Sequence, residues 1–234
     1  MNGVYTDVAH NMKKTLSLIL IVLTIGIVKA ESIVTAQYPD KITFKGTEYN
    51  LNSNPLEPYF EKFPDKRPQS GMMSTALWRG YVAYFEIIDE QLFLTDIKIE
   101  VSDEDSEDDY DTKWISAFKQ VFPNKEKAKI DWYTGILILP HGKIVEYVHM
   151  GYASTYSKYW LLEIEKGNFN EARKYKNKEF VKFKKRQFEM FEKTEEYKKL
   201  YAELKENDES NDDEFIKSFI SDFVINYTIK FLTE

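Results

Sequence analysis

Trp78-Arg79-Gly80-Tyr81-Val82-Ala83-Tyr84-Phe85-Glu86-Ile87-Ile88, followed after Asp89-Glu90-Gln91 by Leu92-Phe93-Leu94-Thr95-Asp96-Ile97-Lys98-Ile99, is the stretch that decides the fold. Aromatic and β-branched residues dominate both runs, so they read as two strands joined by a tight turn. On the first strand Tyr81, Ala83, Phe85 and Ile87 share one face, and Val82, Tyr84, Glu86 and Ile88 share the other. Neither face is polar, which predicts a central strand covered on both sides. The second run is more two-sided, because Asp96 and Lys98 lie opposite Thr95, Ile97 and Ile99.

Upstream, Lys41 to Leu51 is a second hairpin with Gly46 at its turn and Ile42, Phe44, Tyr49 and Leu51 as its buried side. Asn54-Pro55 breaks it, and Tyr59 to Phe63 reads as one helical turn before Pro64. Downstream, Ser102 to Asp111 carries seven acids. Asp103, Asp105 and Glu107 alternate as calcium ligands would, but the glycine and closing-glutamate positions of that loop hold Asp108 and Trp114. A solvated acidic loop is therefore expected, with Asp111-Thr112 capping a helix through Trp114, Phe118 and Val121. Ile136 to Leu139, Lys143 to His149 and Tyr156 to Ile164 read as a meander, with Pro140-His141-Gly142 as a turn.

From Asn170 the apolar period changes to that of a helix, through Phe180, Phe183, Met190, Tyr197, Tyr201 and Leu204. Gln187 and Thr194 interrupt this strip, which predicts a helix laid over a sheet, with a coiled-coil dimerisation arm as the alternative. Asp213 then caps a last helix bearing Phe215, Phe219, Phe223, Tyr227 and Phe231. Strands first and helices last predict an α+β fold: an antiparallel meander sheet, with curling left open, packed with C-terminal amphipathic helices. The expected organisation is a signal peptide over 1–30 and one α+β domain over 31–234, with a helical C-terminal part over 168–234.

The leader rests on Met12-Lys13-Lys14, an apolar run from Thr15 to Val28, and small or modest residues at Val28 and Ala30 before a cleavage point. Translation is expected to start at Met12. The run falls short of the ~20 residues of a membrane span, so the chain is expected to be exported to the periplasm or beyond, with no stable anchor after cleavage. The chain has no cysteine, which excludes disulfides, thiolate catalysis and a lipoprotein anchor. A net charge of −7 with no basic stripe argues against nucleic acid.

Of the three histidines, His10 lies in the leader region and His141 in the expected turn. His149 ends a strand and enters Met150-Gly151-Tyr152-Ala153-Ser154-Thr155-Tyr156, a loop suited to a general base or to ligand contact. No histidine pair offers metal spacing, Ser154 lacks a nucleophile elbow, and no phosphate loop is present, so no cofactor, metal or catalytic residue is assigned. Trp78, Tyr81, Tyr84, Trp132, Tyr133, Tyr152, Tyr156, Tyr159 and Trp160 crowd the strand ends, and Trp, Tyr and Arg dominate binding hot spots. The candidate binding residues are therefore Arg79, Tyr81, His149, Tyr152 and Tyr156.

Asn54-Pro55-Leu56-Glu57, Ser74 to Ala83 with its W-R-G-Y-x-A strand, Leu92-Phe93-Leu94, Gly135-Ile136-Leu137 and Pro140-His141-Gly142 together resemble a group of bacterial proteins to which no activity is assigned. The resemblance covers roughly Ile42 to Ile164 and implies a bacterial single-domain protein, without site residues. The sequence thus predicts an exported, non-enzymatic binding protein for a protein or glycan partner. The alternatives are an envelope hydrolase using His149 with Glu86 or Asp96, and a homo-oligomer formed through the helical strip.

Overall fold

The computed structural model of the protein describes residues 35–69, 74–108, 110–207 and 212–233; the leader over 1–30, the start at Met12 and His10 lie outside them. The fold is α+β. Nine strands form one mixed sheet: β1 (Asp40–Phe44), β2 (Thr47–Leu51), β3 (Val82–Ile88), β4 (Gln91–Ser102), β5 (Thr112–Ser116), β6 (Ala128–Lys129), β7 (Gly135–Glu146), β8 (Thr155–Glu165) and β9 (Asn168–Lys176). Six helices accompany them among the described residues: α1 (Glu57–Lys62), α2 (Phe118–Val121), α3 (Asn177–Phe191), α4 (Glu195–Asn207), α5 (Asp213–Asp222) and α6 (Val224–Tyr227).

The strand order is β2-β1-β3-β4-β9-β8-β7, with β5 and β6 also paired to β4. Most pairs are antiparallel, but β1 and β3 run parallel, Ile42 facing Phe85. The expected purely antiparallel meander is thus corrected to a mixed sheet. The parallel pair arises because the chain crosses over through α1 and the following loop between β2 and β3, instead of returning by a tight turn. At the far end, Asn52 N–H donates to Ile138 O at 2.9 Å and Ile138 N–H donates to Ser53 Oγ at 3.1 Å, so the end of β2 touches β7.

The deciding hairpin is present as β3 and β4, joined by Asp89-Glu90 with both residues at positive φ. The β1–β2 turn at Lys45-Gly46 has the same geometry, the one whose twist matches two antiparallel strands. β3 lies between β1 and β4 as expected, but it is not covered on both sides: Ala83 and Phe85 are buried, whereas Tyr84, Glu86 and Ile88 on the other face are half-buried. Trp78 to Gly80 belong instead to a turn before the strand, which a 3-10 turn at Thr75–Leu77 introduces.

Three local expectations are overturned. Residues 112–116 are β5, not helix, because the outer half of β4 would otherwise be an unpaired edge; Lys98 pairs with Ser116 and Ser102 with Thr112. Pro140-His141-Gly142 is no turn: β7 runs straight through it with a register irregularity after His141, and Gly142 at φ +81° takes up the distortion. A proline is tolerated there because β7 ends the strand order and has no ladder partner on the side away from β8. The first part of 168–234 is β9, turned back on β8 at Lys166-Gly167, so the helical part begins at Asn177.

Alternation along β7 and β8 divides the interior. Leu137, Leu139, Leu162 and Ile164 face a core shared with Ile42, Phe85 and Leu94. Ile136, Tyr159 and Leu161 face a second core built with the helices. There Phe180 stacks on Tyr159 at 4.2 Å and Phe183 on Tyr175 at 4.9 Å. Phe180 and Phe183 are therefore packed against the protein's own sheet, as a helix laid over a sheet requires, whereas Met190 of the same strip is exposed. Gln187, which breaks the apolar pattern, is fully buried. Its amide donates to Thr228 Oγ1 at 3.1 Å and Lys230 O at 2.8 Å, and its oxygen accepts from Leu232 N–H at 3.0 Å. The last residues, with Phe231 among them, are thus an extended tail clipped to α3, not the end of a helix.

Candidate functional site

Asp40 begins β1 and is fully buried; Arg79 precedes β3 and is 3% exposed. Arg79 Nη1 donates to Asp40 Oδ2 at 2.8 Å and Nη2 donates to Tyr38 O at 2.9 Å. Ala83 N–H donates to Asp40 Oδ1 at 2.8 Å. Burial alone would lower the Arg79 pKa, but the Asp40 carboxylate more than offsets it, and the guanidinium stays charged. A second pair lies beside the first. Tyr81 Oη donates to Glu57 Oε1 at 2.6 Å, and Arg67 grips the same carboxylate with both terminal nitrogens at 3.0 and 2.8 Å. Burial pushes the Tyr81 phenol well above its ordinary range, and Glu57 adds to the rise. Tyr152 Oη closes the group by donating to Asn54 Oδ1 at 3.1 Å, its own pKa raised by burial.

Arg79, Tyr81 and Tyr152 therefore come together, Arg79 and Tyr81 inside the protein and Tyr152 half-buried beside them. The expectation that Arg79 and Tyr81 form a surface is corrected, because Asp40 and Glu57 hold their polar ends in the core. His149 is exposed, with Nδ1 2.7 Å from Tyr147 Oη. Tyr156 is half-buried against the helical core, where its backbone N–H donates to Tyr159 Oη. Neither joins the Arg79 group. Nor does the strand pairing bring Glu86 and Asp96 together: Glu86 lies opposite Phe93 and Asp96 opposite Tyr84, and Asp96 accepts from Ser116 Oγ at 2.6 Å. In the acidic loop, Lys113 holds Asp103 and Asp105 at 2.8 and 3.0 Å. No cluster of three or more metal-ligating side chains occurs among the described residues.

The buried pairs position something the strand pattern did not single out. Glu57 is the first residue of α1 and Arg67 follows it by one loop, so the carboxylate–guanidinium grip fixes the segment between them. Pro58 starts α1 and Pro64 stops it. The residue before a proline is driven out of helical geometry, and Phe63 turns off the helix at φ −130°, ψ 69°. α2 ends in the same way: Phe122 leaves at φ −130°, ψ 70° before Pro123. The two helix ends flank a cleft of about 480 Å³, within the roughly 300–1,000 Å³ of small-ligand sites.

Tyr59 is the centre of this cleft. Its ring lies 5.0 Å from Phe63, 5.2 Å from Phe122 and 4.7 Å from Trp132. Trp132 stacks near-parallel to Phe122, and its indole N–H donates to Pro55 O at 3.0 Å, which locks the plane of the ring. Lys62, Lys66, Lys125, Asn124 and Asp131 supply the polar part of the lining. Ordered ring faces with a few polar groups suit recognition of a flat ligand. Trp132 stood among the strand-end aromatics of the sequence, but Tyr59, Phe63 and Phe122 did not. The two Phe-Pro helix stops were the available signal, and only the fold shows that they face each other.

No protein-family model matches the chain, and no curated protein or solved structure matches it.

Proposed function

We propose that the chain is an exported, non-enzymatic binding protein, acting in the periplasm or outside the cell, and that a saccharide ring sits in the Tyr59–Trp132 cleft. The observation that carries the reading is the ring cluster itself. Tyr59 and Trp132 are half-buried over the buried Phe122, held by the Pro55 carbonyl on one side and the Glu57–Arg67 grip on the other. An aromatic face carries partial negative charge and attracts the slightly positive C–H groups of a pyranose face. Rings already ordered lose little side-chain entropy on binding. Export is supported by the Met12–Ala30 segment of the sequence, and mature protein recovered from the cell envelope or medium should begin at Glu31.

The test is a titration of soluble oligosaccharides followed by tryptophan emission. A saturable response is expected that Tyr59→Ala and Trp132→Ala each weaken by about tenfold or more, while His149→Ala and Tyr156→Phe leave it unchanged. Equal binding by all four variants would reject the cleft.

A further inference from the structure

Accepting that the cleft binds saccharide, we infer that its ligand is an acidic sugar, a pyranose bearing a ring carboxylate. The cleft reverses the charge of the molecule around it. The whole chain is net −7, yet the lining holds three lysines, Lys62, Lys66 and Lys125, against one carboxylate, Asp131. Among the described residues none of these lysines forms an ion pair. Two of the ammonium groups lie over the cleft's own rings, Lys62 Nζ 5.4 Å from the Phe63 centroid and Lys125 Nζ 5.7 Å from that of Phe122. Lysine presents a rotatable point charge, which suits a carboxylate at the periphery of a ligand without a fixed fork geometry.

Asp131 narrows the class further. Its side chain is exposed in the cleft and, among the described residues, accepts no hydrogen bond. A carboxylate there repels any bound anion, and an aromatic acid, with a ring and a charge but no donors, offers it no hydrogen bond in return. It accepts from the hydroxyls of a sugar. Flat ring floor, hydroxyl acceptor and peripheral cations together match a uronic acid unit. The acidic remainder of the surface opposes a long polyanion, so the site takes a short segment of such a chain.

The experiment titrates the full chain with an oligogalacturonate, the same oligomer as its methyl ester, a neutral cello-oligosaccharide and benzoate. The oligogalacturonate is expected to bind about tenfold or more tightly than its ester at 0.05 M salt, with the ratio falling toward one at 1 M salt, where the screening length is about 3 Å. The triple variant Lys62→Gln, Lys66→Gln, Lys125→Gln should lose the preference for acid while still binding the ester, and the corresponding triple Arg variant should keep it. Asp131→Asn should weaken the ester, whose hydroxyls lose a charged acceptor, and weaken the acid less, because the acid is also relieved of a like charge. If the ester or the cello-oligosaccharide binds as tightly as the acid, or benzoate matches it, the acidic-sugar assignment is wrong although the cleft still binds. If no saccharide binds, or binding ignores Trp132→Ala, the cleft reading falls, and this inference with it.

Discussion

Replacing Arg79 by Met would leave the Asp40 carboxylate buried without its counterion. Both side chains are almost wholly inside, at 1% and 0% exposure, so water cannot take over the lost interactions. Asp40 would keep the Ala83 N–H, and Tyr38 O would lose the donor it has at 2.9 Å. Removing one partner of a buried ion pair costs about 3–5 kcal/mol. With a urea m-value of about 2 kcal/mol/M, the midpoint should fall by about 2 M. The double variant Asp40→Asn, Arg79→Met removes the stranded charge, and Asn can still accept from Ala83. It should recover at least about half of that loss, giving a coupling energy of about 2 kcal/mol or more. Urea unfolding of the wild type, both single variants and the double variant, followed by circular dichroism, measures all four corners of the cycle. A single-variant loss below about 1 kcal/mol, or a double variant whose loss is the sum of the singles, would refute the claim that this pair is a buried, mutually compensating unit.

Gln187→Leu keeps the side chain's bulk but removes three hydrogen bonds to the C-terminal tail; a loss of about 2–3 kcal/mol is expected, with faster amide exchange at Leu232, and unchanged exchange there would contradict the clip. Gly167 sits at φ +74° with Ile130 O only 2.5 Å from where a Cβ would stand, whereas Gly46 at φ +73° has open space. Gly46→Ala should therefore cost about 1 kcal/mol, and Gly167→Ala distinctly more, so equal melting temperatures would count against the turn geometry. Burial, with Lys174 and Lys158 nearby, holds the His141 pKa below its usual value. The unfolded chain then binds more protons just below about pH 6.5, so stability rises with pH through that window and falls as the solution is acidified. His141→Gln should flatten that part of the stability–pH curve measured by urea unfolding; parallel curves for the two proteins would exclude it.

The central hairpin was legible because β3 and β4 are rich in aromatic and β-branched residues around a two-residue turn, although one face of β3, with Tyr84 and Glu86, is only half-buried. The same residues misled about function. Arg79 and Tyr81 look like surface residues in a one-dimensional pattern, and their burial depends on Asp40 and Glu57, which lie 39 and 24 positions away. β5 and β9 were misread for a related reason: their strand form follows from the edges they cover on β4 and β8, which local propensity does not encode. Gln187 was correctly seen as an interruption, but what it binds is the chain's own tail. The cleft was least legible of all, since Tyr59 and Trp132 are brought together across 73 residues of sequence.

The chain has four tryptophans, and Trp78, Trp114 and Trp160 serve as internal controls for Trp132. Ligand contact at the cleft is measured most directly by the indole N–H spectrum of isotope-labelled protein during titration with an oligogalacturonate. The Trp132 resonance should shift saturably while the other three stay in place. A shift confined to the exposed Trp78 or Trp114 would put the binding surface elsewhere, and an unmoved Trp132 would contradict the cleft as the site of function.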